Sequence, residues 1–220
     1  MKTIAAGEFS SVAVREDGTV WAWGYDMVGW DMHDPSNQYL TPVQVHGLQD
    51  VQAVSNSGRH ALALRADGTV WAWGANTYGQ LGGGTTGWAR PTPGQVPGLT
   101  DVVAIVAGYS FSLAVRSDGT VWAWGGFRTD PLTVPEARPT PAPIEGLTNV
   151  AAVALGRFHG LALRADGTMV GWGNNEQGQL ANGESPQHFT PVRTLLPCRF
   201  KGHPSHEHHA SGLEQCHVVP

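Results

Sequence analysis

The chain has 220 residues, enough for one domain with a sizeable core, and a formal net charge of −5 with 13 lysines and arginines. That balance gives no basic stripe, so we expect no nucleic-acid partner. The longest apolar runs span six residues, far below the ~20 that a membrane helix needs, so we expect no membrane insertion.

The octapeptide Asp-Gly-Thr-Val-Trp-Ala-Trp-Gly occurs three times unchanged and a fourth time as Asp-Gly-Thr-Met-Val-Gly-Trp-Gly. The copies begin at Asp17, Asp67, Asp118 and Asp166, which separates them by 50, 51 and 48 residues. Self-similarity at this spacing predicts a repeat architecture with one supersecondary unit per copy. We place the repeats at about residues 3–50, 51–100, 101–149 and 150–196.

Each repeat predicts four short strands. In repeat 2 the apolar runs Val51–Val54, His60–Leu64 and Thr69–Gly74 are separated by glycine or Asp-Gly, and no long window has a helical period. A weaker fourth strand, Pro93–Val96, contains a proline, which suits an outer edge strand. Its counterparts are Leu40–Val45, Pro141–Ile144 and Thr190–Arg193.

The Asp-Gly pair between two apolar runs predicts a tight hairpin turn. We expect its glycine to adopt a positive φ, which a Cβ would penalise. The four glycines at this position are Gly18, Gly68, Gly119 and Gly167.

The third strand is apolar on both faces, with large tryptophans on one side and small residues on the other. Strands covered on both faces have this pattern, and alternating large and small residues suits sheets that converge on an axis. We therefore expect the tryptophans of this motif to be core residues and not a ligand-binding cage. They are Trp21, Trp23, Trp71, Trp73, Trp122, Trp124 and Trp172.

At these residues the chain resembles the regulator of chromosome condensation repeat family. The resemblance rests on Ala-Gly-x-x-x-Ser-Leu-Ala-Val at 107–115, on the octapeptide, and on Asn-x-x-Gly-Gln-Leu-Gly at 76–82, which returns in changed form at 175–181. It implies an all-β fold, a β-propeller of four such blades over residues 1–196. Repeats 1 and 3 lack the third element, so their loops depart from the family pattern.

Propellers of that family close with about seven blades, whereas four copies are present here. An incomplete arc exposes two apolar blade faces. Three outcomes follow: a fragment of a longer gene, which we favour, self-association that completes the ring, or an unusually small four-bladed ring.

After residue 196 the repeat pattern stops. Residues 197–220 are rich in cysteine and histidine, and we expect a disordered tail. Metal binding through Cys198, His203, His206, His208 and Cys216 is the alternative, but their spacing matches no standard zinc signature. We therefore assign no metal site and no cofactor.

No catalytic set is recognisable, so we expect a non-enzymatic scaffold that binds a protein partner through loops on one rim. Aromatic and arginine residues in the loops that break the repeat are the candidate anchors: Trp30, His33, Trp88, Arg90, Phe127 and Arg128. The resemblance also implies two alternatives, guanine-nucleotide exchange on a small GTPase and inhibition of a secreted enzyme. No secretory signal is visible at the start, so the cytoplasm is the default compartment.

Overall fold

The computed structural model describes residues 1–25, 38–127, 136–184 and 188–195. Across these ranges the chain forms strands and turns without any helix, as the sequence predicts. Sixteen strands make four antiparallel sheets of four strands, and each sheet is one repeat, here called a blade. The expected propeller architecture is confirmed.

The strands of each blade run in chain order across its sheet. Blade 1 contains β1 (Thr3–Ala6), β2 (Ser10–Val14), β3 (Val20–Tyr25) and β4 (Gln38–Val45). Blade 2 contains β5 (Val51–Asn56), β6 (His60–Arg65), β7 (Val70–Ala75) and β8 (Ala89–Gln95). Blade 3 contains β9 (Val102–Ala107), β10 (Phe111–Arg116), β11 (Val121–Phe127) and β12 (Glu136–Pro143). Blade 4 contains β13 (Val150–Leu155), β14 (His159–Arg164), β15 (Met169–Gly173) and β16 (His188–Arg193).

The proline-containing fourth strand lies at the edge of every sheet, as expected. The fourth strand begins earlier than the sequence predicts in every blade, and the difference is largest in blade 2, at Ala89 and not at Pro93, and in blade 3, at Glu136 and not at Pro141. The pairing of β7 with β8 shifts register between Ala72 and Gly74, and beyond the shift Ala89 pairs with Ala75. Such a bulge leaves no periodic apolar pattern, so the start of the strand carries no sequence signal.

The repeated octapeptide encodes the hairpin turn together with its bracing. Gly68 has a φ of 76°, and the Arg65 amide donates to the Thr69 carbonyl across the turn at 3.0 Å. The Asp67 carboxylate accepts from the Thr69 amide at 3.0 Å and from its hydroxyl at 2.6 Å. The indole of Trp71 then donates to the Thr69 hydroxyl oxygen at 3.3 Å. Asp, Gly, Thr and the first Trp of the motif therefore form one local hydrogen-bonded unit.

The second tryptophan of the motif packs a blade against the one before it. Trp73 lies in a cluster with Val14 and Val20 of blade 1, and Trp124 lies in a cluster with Leu64 and Val70 of blade 2. Trp172 does the same against Val115 and Val121 of blade 3. These three tryptophans are almost fully buried, and so they fill the space between neighbouring blades.

The first tryptophan of the motif has a different environment. Trp21, Trp71 and Trp122 are only partly buried, and each lies beneath the guanidinium of an arginine from the same hairpin. The arginine carbon lies 4.2 Å from the ring centroid of Trp122, within cation–π range. The sequence predicts that all tryptophans of the motif are core residues. In the structure the first tryptophan of the motif instead lies near the surface, where an arginine side chain covers it.

The stack of blades is an arc with two open faces. In the described ranges, the apolar clusters join blade 1 to 2, 2 to 3 and 3 to 4, and no cluster joins blade 4 to blade 1. Ile4 of blade 1 is 73% exposed, whereas Ile105, its equivalent in blade 3, is 8% exposed. Leu163 of blade 4 is 42% exposed, whereas Leu64 of blade 2 is 4% exposed. The outer faces of the first and last blades therefore lack the packing that the inner blades have.

Candidate functional site

The two ends of the blades form two different rims. The loop rim carries the tight turns between the first and second strands together with the loops that follow the third strands. Hydrogen bonds tie these two sets together: the Ala75 amide donates to the Arg59 carbonyl at 2.9 Å, and the Asn174 amide donates to the Phe158 carbonyl at 2.9 Å. The hairpin rim at the opposite end carries the Asp-Gly turns.

The charges of the hairpin rim are compensated within each repeat. Arg65 lies 3.9 Å from the Asp67 carboxylate, and its guanidinium covers Trp71. Hydrogen bonds from the hydroxyl and the amide of Thr69 lower the pKa of Asp67 below its usual value. The hydrogen bonds between this aspartate and threonine occur in all four blades, so turn stability explains them and no ligand is needed.

The structure describes only some of the candidate anchors from the sequence. Trp30, His33 and Arg128, and the side chain of Phe127, lie outside the described residues, as does the tail at 197–220. Trp88 is 67% exposed at the end of the loop between β7 and β8. It is therefore accessible to a partner on this rim.

The loop that carries Trp88 is held by an asparagine from the Asn-x-x-Gly-Gln-Leu motif. The Asn76 carboxamide accepts from the Leu81 amide at 3.1 Å and donates to the Thr85 carbonyl at 3.0 Å. The backbone amide of Asn76 donates to the Trp88 carbonyl at 2.9 Å. One side chain thus closes the loop, which presents Trp88 from a braced backbone.

Arg90 is used inside its own blade. Its guanidinium donates to the carbonyls of Ala72 at 2.9 Å and Gly94 at 3.1 Å, and it lies against Gly94 so closely that a Cβ there would overlap it. Partial burial lowers the pKa of Arg90. These contacts give Arg90 a structural role across the bulge between β7 and β8.

Three side chains from three different blades form a cluster on the loop rim. The guanidinium carbon of Arg59 lies 4.5 Å from the Tyr109 ring centroid, and that of Arg157 lies 4.6 Å from the same centroid. Arg157 also lies 5.2 Å from the Phe158 ring. These residues occupy the turns β5–β6, β9–β10 and β13–β14, whose sequences differ between repeats, so the octapeptide gives no hint of the cluster.

A groove of about 290 Å³ opens beside this cluster, and we call it the rim groove. Its walls include Glu8, Ser57, Tyr109, Leu155 and Arg157, so all four blades contribute to it. Arg157 is exposed, while Tyr109 is partly buried. The rim groove combines the Tyr109 ring, the Leu155 side chain and the Arg157 guanidinium with the carboxylate of Glu8. Aromatic and arginine residues are enriched in interaction hot spots.

A serine and a histidine meet in the core between blades 2 and 3. Nε2 of His60 lies 2.8 Å from Oγ of Ser112, which in turn donates to the Gln80 carbonyl at 2.9 Å. Both side chains have no exposed surface, and burial lowers the pKa of His60 to about 3. The sequence gives no sign of this pair, because the two residues lie in different repeats. Since no substrate can reach this buried pair, it serves as a structural hydrogen bond.

The described ranges contain neither a metal site nor a membrane-spanning helix. No group of three or more histidine, cysteine, aspartate or glutamate side chains is placed to hold a metal ion there. Nor is there a helix of the length and apolar character that crossing a bilayer requires.

Comparison with known proteins links the chain to one repeat family. Two family models, both described as "Regulator of chromosome condensation (RCC1) repeat", match residues 67–115 and residues 1–26, 51–80 and 150–179. Protein pim1 of Schizosaccharomyces pombe is 30% identical over 56% of this chain and 26% of its own length.

Two solved structures match the arc as a whole. Human WBSCR16 superposes with a TM-score of 0.73 at 25% identity, covering 89% of this chain and 53% of that one. Prp20p from Saccharomyces cerevisiae superposes with a TM-score of 0.74 at 24% identity, covering 88% and 50%. The chain thus spans about half the length of these solved chains and about a quarter of pim1.

Proposed function

The chain belongs to the regulator of chromosome condensation (RCC1) repeat family, and we propose that it is a non-enzymatic scaffold that binds a protein partner on its loop rim. The observation that carries this proposal is the cluster of Arg59, Tyr109 and Arg157 beside the rim groove. The propeller fold fits a binding role, since its blades are rigid and its loops vary.

The cluster favours a partner segment that carries carboxylates. Guanidinium groups donate bidentate hydrogen bonds to carboxylates, and Arg157 is exposed. Stacking on Tyr109 restricts the arginine side chains before a partner arrives, which reduces the entropy lost on binding. The exposed indole of Trp88 on the same rim adds an apolar anchor.

The test is affinity capture from cell lysate, comparing Arg157→Ala and Tyr109→Ala with a control on the opposite rim. Arg15→Ala is that control, because it also removes one exposed arginine but belongs to the hairpin rim. We expect proteins captured by the wild type to be retained by Arg15→Ala and lost by both loop-rim variants. Capture of the same proteins by all four baits would overturn the proposal.

Nucleotide exchange on a small GTPase and inhibition of a secreted enzyme stay predictions of the family resemblance. Prp20p has been studied for its binding to Gsp1p and histones, and yeast RCC1 (Prp20) has been solved bound to Kap60. The Prp20 chains that bind those partners are about twice as long as this chain. The release of labelled nucleotide from a panel of small GTPases tests exchange directly, and no acceleration across the panel would remove it.

A further inference from the structure

The four blades are of two alternating kinds, which the octapeptide alone does not reveal. Blades 2 and 4 begin their second strand with His60 and His159 and carry the Asn-x-x-Gly-Gln-Leu motif after their third strand. Blades 1 and 3 instead have Ser11 and Ser112 at the second position of that strand. These serines are equivalent, since each pairs with the second tryptophan of its own blade across the sheet.

The junction between blades 2 and 3 shows what the two kinds of blade do when they meet. His60 contacts Ser112 at 2.8 Å, and Ser112 donates to the Gln80 carbonyl at 2.9 Å. The indole of Trp124 donates to the same carbonyl at 2.8 Å. Each of these groups is buried and has a partner, so the junction depends on residues from both kinds of blade.

The same groups occur on the two open faces of the arc. The open face of blade 4 corresponds to the face of blade 2 that packs on blade 3. It carries His159, Gln179 and Leu163 at the positions of His60, Gln80 and Leu64. The open face of blade 1 corresponds to the face of blade 3 that packs on blade 2. It carries Ser11, Trp23 and Ile4 at the positions of Ser112, Trp124 and Ile105. His159, Ser11 and Trp23 are all partly buried, whereas their inner equivalents have little or no exposed surface.

We propose that two copies of this chain associate head to tail, blade 4 of one copy packing on blade 1 of the other and reproducing the junction between blades 2 and 3. Blade 1 supplies to blade 4 the serine and the tryptophan that blade 3 supplies to blade 2. In the apolar part of the contact Leu163 packs on Ile4, as Leu64 and Ile105 share one cluster inside the chain. Packing blade 4 on a second blade 4 would bring two histidines together without a serine. The polar pair therefore favours packing of blade 4 on blade 1 over packing of blade 4 on blade 4.

Head-to-tail contacts close into a ring when both ends of each copy are used. A two-copy ring has two junctions, and each junction covers the blade 4 face of one copy and the blade 1 face of the other, so no apolar blade face stays in water. Exposed Ile4 and Leu163 supply the hydrophobic contact. The alternating order of blades then continues without interruption from one copy into the next.

Sedimentation velocity on the full chain tests the proposal. We expect the wild type to sediment at about twice the 23.4 kDa monomer mass, and Leu163→Glu and Ile4→Glu each to sediment as monomers. An equimolar mixture of the two variants should recover the two-copy species, because one unaltered junction remains between them. Val103→Glu is the control: Val103 is 58% exposed on β9 of blade 3, an inner blade with no open face, so association of this variant should be unchanged.

Two other outcomes would overturn the proposal. A wild-type monomer at about 100 µM would show that another segment or a different protein covers the face, or that nothing does. If blade 4 packed on blade 4, or blade 1 on blade 1, one of the two glutamate variants would associate normally by itself. The other variant would then stay monomeric in the mixture.

A second pair of variants separates association from folding. Ser11→Ala should weaken association about thirty-fold, the effect of about one hydrogen bond at each of the two junctions, and leave the melting temperature of the Leu163→Glu monomer unchanged. Ser112→Ala, which removes the same hydrogen bond inside the chain, should lower the melting temperature and leave association unchanged. Equal effects of the two variants on association would contradict the proposed role of Ser11.

Discussion

Ile105 and Ile4 occupy the same position in two blades but differ in whether another blade covers them. Ile105 is 8% exposed against blade 2, whereas Ile4 is 73% exposed on the open face of blade 1. Replacing isoleucine by alanine removes about three carbon groups, worth about 0.8 kcal/mol each when they are fully buried. Scaled by burial, Ile105→Ala should cost about 2 kcal/mol in transfer free energy, and Ile4→Ala about 0.6 kcal/mol.

A cavity term raises the first value further. Buried isoleucine to alanine changes cost about 2–5 kcal/mol, because the surrounding residues relax only partly. Ile105 is packed in a cluster with Leu64, Val102 and Trp124, so we expect the result to exceed the transfer value alone. Ile4 leaves no enclosed space behind and should stay below about 1 kcal/mol.

The assay is urea unfolding followed by tryptophan fluorescence, in the Leu163→Glu background so that association does not bury Ile4. Equal m-values in the two variants and the parent show that the same surface is exposed on unfolding. If Ile4→Ala destabilises as much as Ile105→Ala in this background, blade stacking is not what buries Ile105 and the account is refuted.

Trp124→Ala should cost about 3–5 kcal/mol in the same urea assay, because the side chain is fully buried and its indole donates to the Gln80 carbonyl; a change near zero would contradict the packing between blades 2 and 3. Gly68→Val should lower the free energy of unfolding by about 1–3 kcal/mol, since φ is 76° and a Cβ would lie 3.2 Å from the Asp101 backbone. Gly167→Val has a similar φ of 82° but open space around it, so it should cost less, and equal costs would show that crowding contributes nothing. Burial lowers the pKa of His60 to about 3 from an ordinary 6.5, so between those values the unfolded chain binds a proton that the folded chain does not. The contribution of His60 to the free energy of unfolding should therefore fall by about 1.4 kcal/mol for each unit by which the pH is lowered in that window. His60→Phe, which introduces the residue that blade 3 has at this position, should remove this part of the pH dependence. Identical slopes in both proteins would refute the role of His60.

The parts of the fold that repeat were predictable from the sequence. The octapeptide gave the third strand, its turn and the glycine with positive φ, because local hydrogen bonds among Asp67, Thr69 and Trp71 make this segment self-contained. The four-fold repetition then gave the architecture, since each unit needs a neighbour to bury its apolar faces.

The parts that depend on contacts between blades were not predictable. The His60–Ser112 pair joins residues of different repeats, and Trp73 and Trp124 are buried because each packs against the preceding blade. The Arg59–Tyr109–Arg157 cluster is assembled from turns whose sequences vary between the repeats. No spacing along the chain encodes such a cluster, because only the curvature of the arc brings the turns together.

The central claim is that stability comes from stacking each blade between two neighbours. Native-state hydrogen exchange of the Leu163→Glu variant tests it most directly, because exchange reports local stability strand by strand. The slowest exchange should fall in β6, β7, β10 and β11 of the two inner blades, with faster exchange in β1 and β13–β15 of the outer ones. Equal protection in all four blades, or the slowest exchange in blade 1 or blade 4, would contradict it.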